Sequence, residues 1–303
     1  MRARDGDMNG LLVLDKPLGI TSRDALDRAL RWFPPRTRMG HTGTLDPLAS
    51  GILVACIGWT TRLAEYVQAM PKEYVAGVRF GARSATDDAE GPFEPVTNAV
   101  MPSEDALGAA LACFVGEISQ TPPAFSAAKV AGRRAYSLAR RGQDVQLEPR
   151  IVRIYAIEMR RFDGISAELH VRCGKGTYIR SLARDLGDKL GCGAYLESLR
   201  RIRVGPFDET RALSLDAPAE VAMRSLMPPI EALADLPRRV LSGEMMQRFF
   251  SGQAMQWEND DELNAGEVAL TDDAGRLRAI GEYDGAARQM KPAKVLAKTE
   301  ADL

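Results

Sequence analysis

The side chains of this 303-residue sequence that could do chemistry are few: one loop aspartate, two histidines, four cysteines and a handful of glycine-bounded turns. Asp46 lies in Gly40-His41-Thr42-Gly43-Thr44-Leu45-Asp46-Pro47-Leu48-Ala49-Ser50-Gly51, a loop of small residues that ends in an apolar run. A carboxylate there can act as a nucleophile if it is kept ionised and desolvated in a fixed place. The ordinary reading of Asp-Pro is a helix start, with Asp as cap and Pro in the first turn, and alone it carries no catalytic claim. Gly174-Lys175-Gly176-Thr177 has the end of a phosphate loop, but His170 stands where the earlier glycine is required. Gly191-Cys192-Gly193 lacks the third glycine of a dinucleotide fingerprint, and Asp87-Asp88-Ala89-Glu90-Gly91 lacks calcium-loop spacing. Cys56, Cys113, Cys173 and Cys192 are far apart, and His41 and His170 are the only histidines, so zinc sites and disulfides are not expected and the thiols read as reduced and packed. No cofactor and no metal is called for.

The elements that must hold these residues are legible in the periodicity. Ser22 can cap a helix with Ala25, Leu26, Ala29, Leu30 and Phe33 at helical spacing, ended by Pro34-Pro35. Ser103 opens another, with Leu107, Ala110, Leu111 and Phe114 on one face. Tyr74, Ala76, Val78 and Phe80 alternate as a half-buried strand does, and on pattern alone Tyr74 is a packing residue. Ile165, Ala167, Leu169, Val171 and Cys173 alternate with Ser166, Glu168, His170 and Arg172, which places His170 on the surface. The turn at 174–177 leads into a helix with Ile179, Leu182, Ala183, Leu186 and Leu190 on its apolar face, while Arg180 and Arg184 point elsewhere. Strands near hairpin-like turns, mixed with helices but without repeated strand-helix-strand units, predict an α+β fold around a mixed, largely antiparallel central sheet with flanking helices. Met227 to Pro237 reads as a linker, followed by a hairpin around Asp273-Ala274-Gly275 and a small, mostly β C-terminal domain.

Length favours two domains, and 45% apolar with 27% charged residues is the composition of a folded protein. No stretch approaches the ~18 apolar residues of a membrane helix, and the charged opening does not read as a signal, so the chain is expected in the cytoplasm. A formal net charge of -1 weighs against a nucleic-acid partner, but the charge is unevenly spread. Arg133, Arg134, Arg140, Arg141, Arg150 and Arg153 face only Asp144 and Glu148 within 133–153, and Arg200, Arg201 and Arg203 cluster again. The acidic run from Glu258 to Asp273 offsets them. By itself such a run is more often a solvated face.

The Asp46 segment closely resembles the motif that carries the catalytic aspartate of the bacterial tRNA pseudouridine-55 synthases, the TruB family. The resemblance continues through Asp15-Lys16-Pro17-Leu18-Gly19-Ile20-Thr21-Ser22, Lys72-Glu73-Tyr74, Gln120-Thr121-Pro122-Pro123 and Lys175-Gly176-Thr177-Tyr178-Ile179-Arg180, and covers the chain from about Asn9 to Phe207. Phe125 replaces a tyrosine and Ser50 the more usual threonine. It implies a catalytic pseudouridine synthase domain over 1–232, with an RNA-binding insertion at about 122–152, and a small PUA-like β domain over 236–303. It implies that Asp46 is the nucleophile, Arg180 its arginine partner, and Tyr74 the residue that stacks on the flipped base and can move a proton. His41 would fill the gap left by that base, and Tyr178 and Leu199 would line the pocket. The partner implied is the tRNA T-arm, with Arg133, Arg134, Arg140 and Arg141 clamping it and no obligate protein partner, the enzyme acting as a monomer. Two rivals remain: a non-catalytic RNA-binding module, against which the Asp46 loop and Arg180 speak, and a guide-RNA-dependent synthase working with partner proteins, from which the arginine-rich insertion differs.

Overall fold

The structure is a computed structural model and describes residues 8–126, 129–130, 133–134, 147–257 and 263–296. Among them the α+β fold expected from the pattern is borne out: one ten-stranded mixed sheet with its longer helices on one face and a short helix, Ala64–Ala69, on the other, and a smaller five-stranded sheet made by the C-terminal chain. We label β1 (Gly10–Lys16), α1 (Ser22–Ala29), β2 (Met39–His41), β3 (Ala49–Ile57) and β4 (Lys72–Phe80). The large sheet runs Leu213–Ser214, β1, β3, Ala194–Val204, β4, Ser166–Cys173, Arg150–Phe162 and Gly116–Gln120. Only two of its pairings are parallel, those of β1 with Leu213–Ser214 and of β3 with Ala194–Val204.

Alternation sets the faces. Tyr74, Ala76, Val78 and Phe80 of β4 are buried beside Ala167, Leu169, Val171 and Cys173, under helices Glu104–Ala112 and Ile179–Leu190. On the opposite face Leu11, Val13, Ile52, Val54 and Cys56 form a second core with Ala269, Leu277, Ile280 and Leu296 of the C-terminal sheet. Tyr66 donates to Glu267, and Lys294 pairs with Glu65, across the same contact.

Several local expectations are corrected. The cap of α1 is Thr21, not Ser22: the Thr21 hydroxyl accepts from the Asp24 N–H and the Asp24 carboxylate accepts from the Thr21 N–H, a reciprocal capping box that Ser22 has no acid three residues on to build. Residues 227–237 are not a loose linker, because Met227 bridges to Leu11, and Ile230, Ala232 and Leu233 are buried in the second core. His170 is half-buried between Glu73 and Glu158. Cys113 is exposed, while the other three thiols are buried. Among the described residues no helix is long and apolar enough to cross a membrane, and no cluster of His, Cys, Asp or Glu could hold a metal.

Candidate active site

Asp46 sits in the seven-residue connection between β2 and β3, which flank each other antiparallel. It does not start a helix. Its carbonyl accepts from the Ala49 N–H at 3.0 Å, so Asp46 and Pro47 turn the chain directly into β3. Thr42 fixes the start of the loop, its backbone N–H and hydroxyl both donating to the Val54 carbonyl.

The loop meets the N-terminal turn of helix Ile179–Leu190. Arg180 Nη2 lies 2.9 Å from the Asp46 carboxylate, and Nη1 lies 3.2 Å from the Asp88 carboxylate. The same guanidinium donates to the Phe125 carbonyl at 2.8 Å and to the Thr86 carbonyl at 3.3 Å. Arg180 is thus off the apolar face of its helix, as the pattern requires, yet buried by the 84–91 and 121–126 segments. Four acceptors in different directions leave the planar group little freedom, which fixes where it presents to Asp46. Asp46 remains 41% exposed at its side chain, so a substrate can reach it.

Desolvation pushes the Asp46 carboxyl above the ordinary carboxylate range. Arg180 is the largest influence pulling it back, Asp88 pushes it up, and Lys16 pulls it down. Lys16 is fully buried at the end of β1, and desolvation brings its ammonium down to about 8, against the attraction of Asp46.

The helix start is itself braced. The Gln120 side-chain amide accepts from the Tyr178 N–H at 2.8 Å and donates to the Tyr178 carbonyl at 3.1 Å. The Thr121 carbonyl accepts from the Ser181 hydroxyl and from Arg184. Gln120-Thr121-Pro122-Pro123 therefore holds the turn that aims Arg180.

Tyr74 is buried on β4, directly opposite Arg201 across the strand pair. Burial pushes its hydroxyl up in pKa, and the positive charge of the Arg201 guanidinium opposes that shift; the charge of Asp46 also acts on it. Arg201 itself donates to the Ile52 and Gly43 carbonyls, at 2.6 and 3.0 Å, tying the strand beside Tyr74 to the Asp46 loop. Leu199 is half-buried between Ala49 and Ala76, and His41 is half-buried at the end of β2, where the loop begins. Tyr178, half-buried, precedes Arg180 by two residues.

Asp46, Arg180, Tyr74, His41, Leu199 and Tyr178 thus gather around one loop and one helix start. The insertion leaves the sheet at Gln120 and returns at its paired neighbour Arg150. Arg133 and Arg134 form a short strand facing Lys129 and Val130 there, whereas Arg140 and Arg141 lie outside the described residues. The later basic cluster is engaged within the protein. Arg201 is buried, Arg200 pairs with Asp15 and Glu209, and Arg203 pairs with Glu73 and Asp208. Sequence reasoning gave no role to Asp88, Lys16 or Arg201; the only signal was that Lys16 lies inside a motif stretch.

A sequence model of the TruB family pseudouridylate synthase N-terminal domain matches residues 31–179, and one of the tRNA pseudouridylate synthase B C-terminal domain matches residues 180–234. The chain is 41% identical to a Chromobacterium violaceum protein named tRNA pseudouridine synthase B, over 98% of this chain and 97% of that relative. It is 40% identical to one of the same name from Pseudomonas syringae, over 91% and 92%. A chain in the crystal structure of the archaeal box H/ACA sRNP Nop10-Cbf5 complex superposes with a TM-score of 0.71 at 24% identity, covering 97% of this chain and 88% of that one, a likeness of fold.

Proposed function

Since the chain belongs to the TruB family of pseudouridylate synthases, isomerases that act on RNA, we propose that its substrate is the T-arm of tRNA and that Asp46 is the nucleophile that turns uridine 55 into pseudouridine. The reaction breaks the bond from N1 of uracil to C1′ of ribose, turns the base, and joins C5 to the same carbon. A carboxylate divides this into easier steps through a covalent adduct, at either C6 of the uracil or C1′ of the ribose. The observation that carries the assignment is the 2.9 Å contact of Asp46 with an arginine anchored on three further acceptors. Such a partner aims the carboxylate and favours its ionised form, opposing the desolvation that raises its pKa.

A uridine inside folded RNA is inaccessible and must be extruded before it can meet Asp46. In this reading Tyr74 stacks on the flipped ring and its hydroxyl moves a proton, His41 fills the gap in the RNA, and Tyr178 and Leu199 line the pocket. Residues 1–232 form the catalytic domain and 236–303 a PUA-like β domain. The 122–152 insertion, with Arg133, Arg134, Arg140 and Arg141, clamps the RNA, and the enzyme works in the cytoplasm as a monomer without guide RNA or protein partner. The full-length relatives named tRNA pseudouridine synthase B favour this over a guide-dependent mode.

The test is to map pseudouridine in a T-arm RNA hairpin after incubation with the purified chain and with Asp46→Asn. The wild type should modify the target uridine, and the variant should form no product while its Kd for RNA stays within a few fold, since the change removes a nucleophile but little binding surface. Retained turnover would overturn the assignment.

A further inference from the structure

The stretch from Lys16 to Ser22 takes no part in the reaction just described, yet it grips the chain on both sides of Asp46. The Gly19 N–H donates to the Pro47 carbonyl at 2.8 Å. The Ser22 hydroxyl accepts from the Leu45 N–H at 2.7 Å and donates to the Leu45 carbonyl at 2.9 Å. One side chain thereby satisfies both backbone polar groups of the residue before Asp46, in a place where Ser22 is 2% and Leu45 3% exposed. The stretch is held in shape by the buried Lys16 ammonium, which donates to the Pro17 and Ile20 carbonyls, and by a left-handed turn at Gly19. Ser22 has no duty as a helix cap, because Thr21 and Asp24 fill that role.

We propose that Ser22 is a positioning residue for the reaction: its hydroxyl fixes the Leu45 peptide groups and so sets the direction in which Asp46 meets the substrate. The inference rests on the assignment of Asp46 above. Without the hydroxyl the buried Leu45 N–H and C=O lose their partner, and the loop must shift to find another. A displacement of about 1 Å at a reacting group can cost on the order of 100-fold in rate. Binding, spread over the RNA surface, should hardly change.

The experiment compares wild type, Ser22→Ala, Ser22→Cys and Ser103→Ala in single-turnover assays on the T-arm hairpin at saturating RNA, with Kd and thermal unfolding measured for each. Ser103→Ala is the control: it removes a capping hydrogen bond to the Ala106 N–H at the start of helix Glu104–Ala112, so it lowers stability without removing a bond to the Leu45 peptide groups. We expect Ser22→Ala to slow the reaction at least tenfold with Kd within threefold, and Ser103→Ala to keep the wild-type rate. A fall of less than threefold for Ser22→Ala, or equal falls for it and the control, overturns the proposal. If the alanine variant does not fold, Ser22→Cys, which keeps the space filled but bonds weakly, is judged by the same threefold limit. Turnover by Asp46→Asn in the same assay would sink the Asp46 assignment and this inference with it. A normal Ser22→Ala rate beside an inactive Asp46→Asn sinks this inference alone.

Discussion

Replacing Arg180 with methionine keeps the apolar stem of the side chain and removes its charge and all its donors from the centre of the site. The loss can be worked from its four partners. Asp46 is open enough to be solvated again, so its end of the pair costs little stability. Asp88 is 2% exposed at its side chain; it keeps the Thr86 hydroxyl and the Glu90 N–H but loses the only cation beside it among the described residues. Breaking a buried pair from one side costs about 3–5 kcal/mol, and leaving the Phe125 carbonyl without its donor adds about 1–3 kcal/mol. Taking the lower bounds, Arg180→Met should lose about 4 kcal/mol, a large part of the ~5–15 kcal/mol that holds a typical protein folded. The charge balance gives the loss a pH dependence. Arg180 is the main influence holding Asp46 down against desolvation, so without it the folded-state pKa of Asp46 rises further above its unfolded value. A raised carboxylate stabilises the fold fully below the unfolded pKa and loses that contribution as pH climbs through the folded one. The deficit of the variant should therefore be smallest in acid and grow toward neutral pH, and the acid limb of its single-turnover rate should move up. Urea unfolding from pH 5 to 8, paired with pH–rate profiles, measures both. A deficit under 1 kcal/mol at pH 7.5, or one that grows as pH falls, would refute the reasoning.

Tyr74→Phe should keep the ring but lose the hydroxyl, slowing the reaction strongly at nearly unchanged affinity, whereas Tyr74→Leu should lose both rate and affinity; near-wild-type rates for both would make Tyr74 a packing residue. Replacing Arg133, Arg134, Arg140 and Arg141 with Ala should weaken RNA binding and reduce the slope of log affinity against log salt by about 0.7 to 0.9 for each phosphate no longer neutralised, with a much smaller fall in the saturating rate. Titrations at several salt concentrations decide it, and an unaltered slope would rule the clamp out.

What the sequence disclosed of this fold was local and periodic. Tyr74 to Phe80 and Ala167 to Cys173 alternate because each strand has one face in the core, and Ile179 to Leu190 repeats because its helix packs on that same face. The Asp46–Arg180 pair, 134 residues apart in sequence, came from a motif resemblance and not from any pattern. The residues missed around it are ones whose meaning lies in a distant partner. Asp87 and Asp88 read as the polar tip of a turn, yet Asp87 meets Arg184 and Asp88 meets Arg180, two arginines one helical turn apart. A pair of acids in a loop looks the same whether it is solvated or buried against such a helix. Arg200, Arg201 and Arg203 are of one residue type within four positions, but only Arg201 lies under the loop, because its neighbours extend to Asp15, Glu209, Glu73 and Asp208 at the sheet surface. Ser22 shows the same limit at the scale of one hydroxyl. Either Thr21 or Ser22 can cap a helix by type; Asp24 settles the choice for Thr21, and the purpose of Ser22 appears only when Leu45, 23 residues on, is brought against it. Burial turns each of these polar groups into an obligation to find a partner, and it is that obligation, discharged across the sequence, that builds the site.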